Sequence, residues 1–300
     1  FTIRKFRPNP YTIIDLIALG TLTPQIAAYL WILVENLRSI MVSGATASGK
    51  TALLNAICMF IQPEMKVVSI EEVRELRLHE NWIPMVTRPS FLPGVQEVNL
   101  YDLLRSALRQ RPDYIIVGEI RGEEAYTLFQ SIAVGHGGLC TLHADNVESA
   151  IKRLETRPMN IPEMMIPLMN IMVQIRRVKI GETVARRIDK IVEIREETKG
   201  EEARLDPKFL WSAESDTFKY VPPSSGVDDL FQRISEINYI PVEKLREEMV
   251  RREAILNWMV REEINSYNSV AEVVRSYHVN PDEVYGKAVS GFQGESAGGS

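Results

Sequence analysis

The stretch SIMVSGATASGKTALLNAICMF, residues 39–60, runs an apolar segment into a loop of small residues and then into a second apolar segment. Gly44, Gly49, Lys50 and Thr51 stand there in the spacing G-x-x-x-x-G-K-[ST], the pattern of a loop whose backbone N–H groups cradle phosphate. Residues 38–43 read as a strand, 44–49 as the loop and 50 onward as a helix. Gly44, Ala45, Thr46, Ala47, Ser48 and Gly49 then turn their N–H groups toward an anion at the positive end of that helix. Lys50 adds a point charge for the β- and γ-phosphates of a nucleotide, and Thr51 offers a hydroxyl to Mg²⁺.

The rest of the chain supplies the setting. With 300 residues and 45% hydrophobic content, it has ample material for a buried core. A net charge of -5 argues against a protein whose main task is to neutralise a nucleic-acid backbone, so no nucleic-acid partner is expected. Cys58 and Cys140 lie far apart among apolar or small residues, without a CxxC spacing, and read as reduced core thiols of a cytoplasmic protein. The most apolar region, residues 11–37, is interrupted by Asp15, Gly20, Thr21, Thr23 and Pro24. It reads as two helices, the second capped by Thr23 with Pro24 at its first position, and neither is long enough to span a bilayer. The chain opens at Phe1 rather than at a methionine, so a fragment of a longer protein is expected.

Short runs rich in Val and Ile, MKVVSIEE (65–72) and PDYIIVGEI (112–120), have the look of buried parallel strands. Helical spacing follows in YDLLRSALRQR (101–111) and EEAYTLFQSIAVG (123–135). Alternation of this kind specifies a mostly parallel sheet with helices on its faces and ligands at the carboxyl ends of the strands. Carboxylates arrive at two such ends: Glu71, Glu72 and Glu75 after one strand, and Glu119 after another. They could orient a water as base and support the metal held by Thr51. VGHGGLCTLHADN (134–146) places His136 and His143 in one glycine-rich segment; its spacing fits no zinc site.

Taken together, GATASGKT, IEEVREL, RQRPDYIIVGEIRG and GHGGLCTLHAD resemble, in order, the motifs of the secretion-superfamily ATPases that drive type II and type IV secretion and pilus assembly. The chain is most similar to the archaeal branch, which includes the archaellum motor and archaeal pilus-assembly ATPases. The resemblance covers roughly residues 1–195. It implies an α/β fold with a RecA-like P-loop core, ATP and Mg²⁺ as ligands, and a homo-hexameric ring with nucleotide at subunit interfaces. By the same resemblance Lys50 and Thr51 bind phosphate and metal, Glu75 is the Asp-box carboxylate placed to act on water, and Glu119 is the Walker B glutamate that shares the metal. His136 and His143 are the His-box pair, while Arg4 and Arg88 match positions near nucleotide. One departure stands out, because the family usually has Glu-Asp where this chain has Glu71-Glu72.

The expected organisation is a linker from a missing amino-terminal domain (1–10), the ATPase core (11–200), a hairpin and helical subdomain (201–290), and a disordered tail (291–300). Methionine-rich residues 161–177 read as ordinary core, and KFLWSAESDTFKYV (208–221) as two strands about a turn, followed by a break at PPSSG. The expected activity is that of a motor ATPase on the cytoplasmic face of the cell membrane. Its partners would be a polytopic platform protein and a filament or secretion machinery, in pilus assembly, archaellum rotation or secretion. A RecA-like nucleic-acid translocase and a nucleotide-gated adaptor that does not hydrolyse remain the alternatives.

Overall fold

The computed structural model describes residues 9–90, 96–196, 203–223 and 229–296. The described residues open with two helices, α1 (Ile13–Ala18) and α2 (Pro24–Glu35), each started by a threonine. Thr12 accepts from the N–H of Asp15 and Thr23 from that of Ile26, with Pro24 at the first helical position where its missing N–H costs nothing. There follow β1 (Ile40–Gly44), α3 (Lys50–Cys58), β2 (Val67–Glu71), β3 (Trp82–Val86), α4 (Leu100–Leu108), β4 (Tyr114–Val117), α5 (Glu124–Ala133), β5 (Gly137–His143) and α6 (Val147–Glu155). A 3-10 turn at Glu163–Leu168 leads into β6 (Ile171–Ile180), β7 (Thr183–Arg195), β8 (Arg204–Ser212) and β9 (Thr217–Tyr220). Four helices close the chain: α7 (Asp229–Asn238), α8 (Val242–Arg261), α9 (Tyr267–Val279) and α10 (Pro281–Ser296).

Among the described residues, nine strands join one sheet in the order β3-β2-β4-β5-β1-β6-β7-β8-β9. The pairings from β3 through to β6 are parallel, and those from β6 to β9 are antiparallel. Side chains alternate across the sheet. Ile40, Val42, Val67, Ile116 and Leu139 enter one core with α1, α2, α3 and the carboxy-terminal helices. Met41, Val68, Ile115, Val117 and Cys140 enter the other with α4, α5 and α6. Burial on both faces is why these strands read as continuous apolar runs rather than as alternating ones.

Helix α2 is apolar on every side because it is covered twice, by the sheet below and by α8 above. Trp31 stacks on Phe60 at 5.0 Å between ring centroids, and Tyr277 of α9 meets it edge-on at 5.4 Å. The guanidinium of Arg252 lies over the Trp31 ring and pairs with Glu35. The four terminal helices are thus docked on the same core as the strands.

Several differences from the sequence reading have physical causes. Strand β3 was not expected, since Trp82–Val86 contains Pro84 and is only partly buried; it is an edge strand, where a proline is tolerated. Strands β8 and β9 continue the main sheet rather than standing apart with the terminal helices. Helix α10 runs through Ser296, into the tail expected to be disordered from residue 291. The linker expected at residues 1–10 lies almost wholly outside the described residues, as does part of the PPSSG break. None of the described helices is long and apolar enough to cross a membrane.

Candidate nucleotide site

Parallel pairing brings the carboxyl ends of β1 to β5 to one edge of the sheet, and the loop 44–49 sits there between β1 and α3. Gly44 is directly opposite His143, the last residue of β5. A Cβ on Gly44 would lie 2.4 Å from the carbonyl oxygen of Ile175 and 2.6 Å from Ser48 Oγ, so only glycine fits. Gly49 has φ +100° and Ala47 φ 60°, both left-handed, the kind of backbone from which anion-binding loops are made. The hydroxyl of Ser48 is buried inside the turn and has no hydrogen-bond partner among the described residues. Lys50 Nζ donates to the carbonyls of Gly44 and Ala45, each at 3.0 Å, and so arches back over the loop. Burial pulls its pKa below the ordinary lysine value, opposed by the charge of Glu119 and assisted by that of Arg121, which places both groups within electrostatic reach of Lys50. Thr51 follows as the second residue of α3. A backbone with two left-handed residues, a buried hydroxyl awaiting a partner and an ammonium over the mouth of the loop fit a polyphosphate and its metal ion.

The acidic side of the site is built by β2 and β4. Glu119 is half-buried just past β4, and its Oε2 accepts from Arg121 Nη2 at 2.5 Å. Arg121 Nη1 reaches both carboxylate oxygens of Glu72 at 3.2 Å. The loop bearing this pair is pinned by the buried carboxylate of Glu124, which accepts from the N–H groups of Arg121 and Gly122 at 2.6 and 2.8 Å. Thr141 Oγ1 donates to the Gly118 carbonyl at 2.6 Å and ties the same loop to β5.

Glu71, Glu72 and Glu75 have different surroundings. Glu71 ends β2 with 3% exposure and accepts from the N–H groups of Glu75 and Leu76 at 2.8 and 3.0 Å. Burial pushes its pKa up, against the downward pull of those two donors and of Ser69. It anchors the turn that displays Glu75, which is itself half-exposed. Glu72 is exposed and holds Arg121.

The two histidines are separated. His143 Nδ1 is 3.5 Å from Thr46 Oγ1 in the phosphate loop. His136 precedes β5 at the opposite end of the sheet, its Nδ1 3.0 Å from the Ser131 carbonyl. Six residues of strand stand between them, a rise of about 23 Å over seven steps, so the two do not meet within the chain. The shared glycine-rich segment gave no sign of this, because Gly137 and Gly138 sit inside the strand, where the Tyr114 ring and the Ile132 side chain leave no room for a Cβ. Arg88 is on the correct edge but follows β3, four strand positions from β1, or about 19 Å. It donates to the Gln96 carbonyl and is exposed. Arg4 lies outside the described residues.

One positioning residue was missed. Gln174, wholly buried on β6, accepts from Ser43 Oγ at 2.6 Å and donates to the carbonyls of Ala144 and Asp145 at 3.2 and 3.1 Å. It ties the end of β1 to the chain leaving His143. The signal was available: an amide inside the apolar run IMVQI must be satisfied by something specific.

The chain spans 98% of an uncharacterized protein of Methanocaldococcus jannaschii and is 44% identical to it over 269 residues, 88% of this chain. It spans about half (51%) of a second uncharacterized protein of that organism, at 38% identity over 283 residues, 93% of this chain. It is 39% identical over 137 residues to the type IV secretion system protein PtlH of Bordetella pertussis, which is 45% of this chain and 40% of that protein. Among solved structures, the VirB11 ATPase of the Brucella suis type IV secretion system aligns with TM-score 0.47 and 28% identity over 64% of this chain and 65% of that one. A family model described as Type II/IV secretion system protein matches residues 1–203. With that match over most of its length, the chain belongs to the type II/IV secretion system protein family.

Proposed function

We propose that this chain hydrolyses ATP and turns the reaction into movement, powering the assembly of pilin-like filaments, the rotation of an archaellum or the export of secretion cargo. The observation that carries this reading is the place of Lys50, arched over a loop with two left-handed residues, beside His143 at the end of β5 and two strand positions from β4, which leads to Glu119. Lys50 and the N–H groups of residues 44–49 would hold the β- and γ-phosphates. Thr51, with Glu119, would hold Mg²⁺. The metal, when bound, neutralises charge on the phosphate oxygens. Glu75 and Glu119 are the carboxylates available to orient a water and take up its proton, and Arg121 holds Glu119 in place until nucleotide arrives. His143, beside Thr46, reports to β5 whether the loop is filled.

The working form is a homo-hexamer at the inner face of a membrane, seated on a polytopic platform protein. Arg88 is too far from its own loop to reach it, and it is offered across the ring to a neighbour. Phosphate release by the full chain, compared with Glu119→Gln, tests the reading. Turnover lost in the variant supports it, turnover absent from both chains favours a non-hydrolysing adaptor, and a steep stimulation by DNA at low salt favours a translocase.

A further inference from the structure

Strand β6 pairs with β1 only as far as Ser43 and Gln174, and then runs past the end of β1. Its antiparallel partner β7 does the same, so the β6–β7 hairpin overhangs the phosphate loop. Arg177 and Arg186 are directly opposite one another on this overhang and therefore share a face. That face is turned toward the loop. A Cβ on Gly49 would meet Arg186 Cδ at 3.2 Å, Arg186 Nε at 3.6 Å and Ile175 Cδ1 at 3.6 Å. On the opposite face Arg176 is bound to Asp189 at 3.2 Å, and Arg187 holds Asp216 through two hydrogen bonds of 2.8 and 2.9 Å. Among the described residues, neither Arg177 nor Arg186 has an acidic partner, and both are exposed.

Like charges directly opposite in a hairpin repel, and a strand gains nothing by keeping two of them unneutralised over a loop built for anions. We propose that Arg186, supported by Arg177, is a second cationic contact of the nucleotide, on the α- and β-phosphates. The strand order fixes the end of the nucleotide it serves. Glu119 approaches from β4, on one side of β1, and Arg186 from β7, on the other. The γ-phosphate belongs on the side of the carboxylates that act on water, which leaves the diphosphate and nucleoside end to Arg186. Gly49 is required for this approach as well as for its own left-handed backbone, because any side chain there would displace the arginine stem. The inference rests on the nucleotide reading of the loop.

The test is titration of the full chain with ADP and with ATP, followed by steady-state ATP hydrolysis, for wild type, Lys50→Ala, Arg186→Ala, Arg186→Lys and Arg176→Ala. Arg186→Ala weakens ADP and ATP by the same factor, about tenfold for the loss of a charge-assisted contact. It raises KM while sparing kcat, as the loss of a contact made equally in ground and transition states must. Arg186→Lys recovers part of the affinity, and Arg176→Ala, on the far face, leaves it unchanged. If wild type binds ADP and Lys50→Ala does not, but Arg186→Ala binds as wild type does, this inference fails and the nucleotide reading stands. Equal weakening by Arg186→Ala and Arg176→Ala overturns the contact in favour of a diffuse positive field. No ADP binding by wild type overturns both readings.

Discussion

Arg121 Nη2 lies 2.5 Å from Glu119 Oε2, while its Nη1 holds Glu72 at 3.2 Å. One guanidinium therefore clamps two carboxylates that arrive from different strands, and the hydrogen bond to Glu119 pushes the Arg121 pKa up. The clamp is half-exposed, so its worth to the fold is small, about 0–1 kcal/mol. Its effect is on where Glu119 points. Arg121→Ala is expected to reduce ATP turnover about tenfold while leaving the urea midpoint nearly unchanged, as measured by phosphate release and equilibrium unfolding.

Glu119→Gln keeps the size and polarity of the side chain and removes its charge. Nucleotide binding should persist while hydrolysis falls by about a hundredfold or more, the usual loss when an acid–base group is removed. Comparison of ADP titration with phosphate release separates the two effects. Loss of binding in step with turnover would make Glu119 a structural residue of the cradle.

The three neighbouring glutamates should separate by function. Glu75→Gln is expected to lower turnover as Glu119→Gln does, with little change in stability. Full turnover in Glu75→Gln together with none in Glu72→Gln would move the water-activating role to Glu72.

Glu71 acts on the fold and should be visible through pH. Its pKa is raised in the folded state by burial, so the folded protein binds this proton more tightly than the unfolded chain does. Stability therefore declines as pH rises from the ordinary carboxylate range through the raised value, and is recovered on acidification over the same window. Glu71→Gln can still accept the N–H groups of Glu75 and Leu76, and it should flatten this decline in urea unfolding measured between about pH 4 and pH 8.

Gln174→Leu removes the tie between β1 and the segment after His143. It leaves Ser43 Oγ and two carbonyls without their partner, at a cost of about 1–3 kcal/mol. The urea midpoint should fall accordingly, and turnover measured well below the transition should fall too if the tie positions His143.

What could be read in advance follows from how far each signal is local. The phosphate loop was legible because glycine backbone, lysine charge and helix start are fixed within eight residues, and α2 because Thr23 and Pro24 mark its first turn. The parallel strands were legible because burial on both faces makes them continuously apolar. The β6–β7 overhang was not, since Arg176, Arg177, Arg186 and Arg187 mask its period, and their meaning depends on a pairing made in space. Likewise, the sequence put His136 near His143, while strand β5, which starts after His136 and ends at His143, carries the two to opposite ends of the sheet. Glu71 and Glu72 are adjacent in sequence and opposite in role because successive residues at a strand end point to different surroundings.

Nucleotide binding by the loop turns on Lys50. Its ammonium is held over the mouth of the loop by the Gly44 and Ala45 carbonyls and is drawn on by Glu119. As a half-exposed residue it contributes little packing. The direct measurement is ATP binding and phosphate release by Lys50→Ala beside wild type, with folding checked by circular dichroism. The expected result is a folded variant that has lost most of its nucleotide affinity and nearly all of its turnover. A folded Lys50→Ala variant that binds and hydrolyses ATP as wild type does would contradict it.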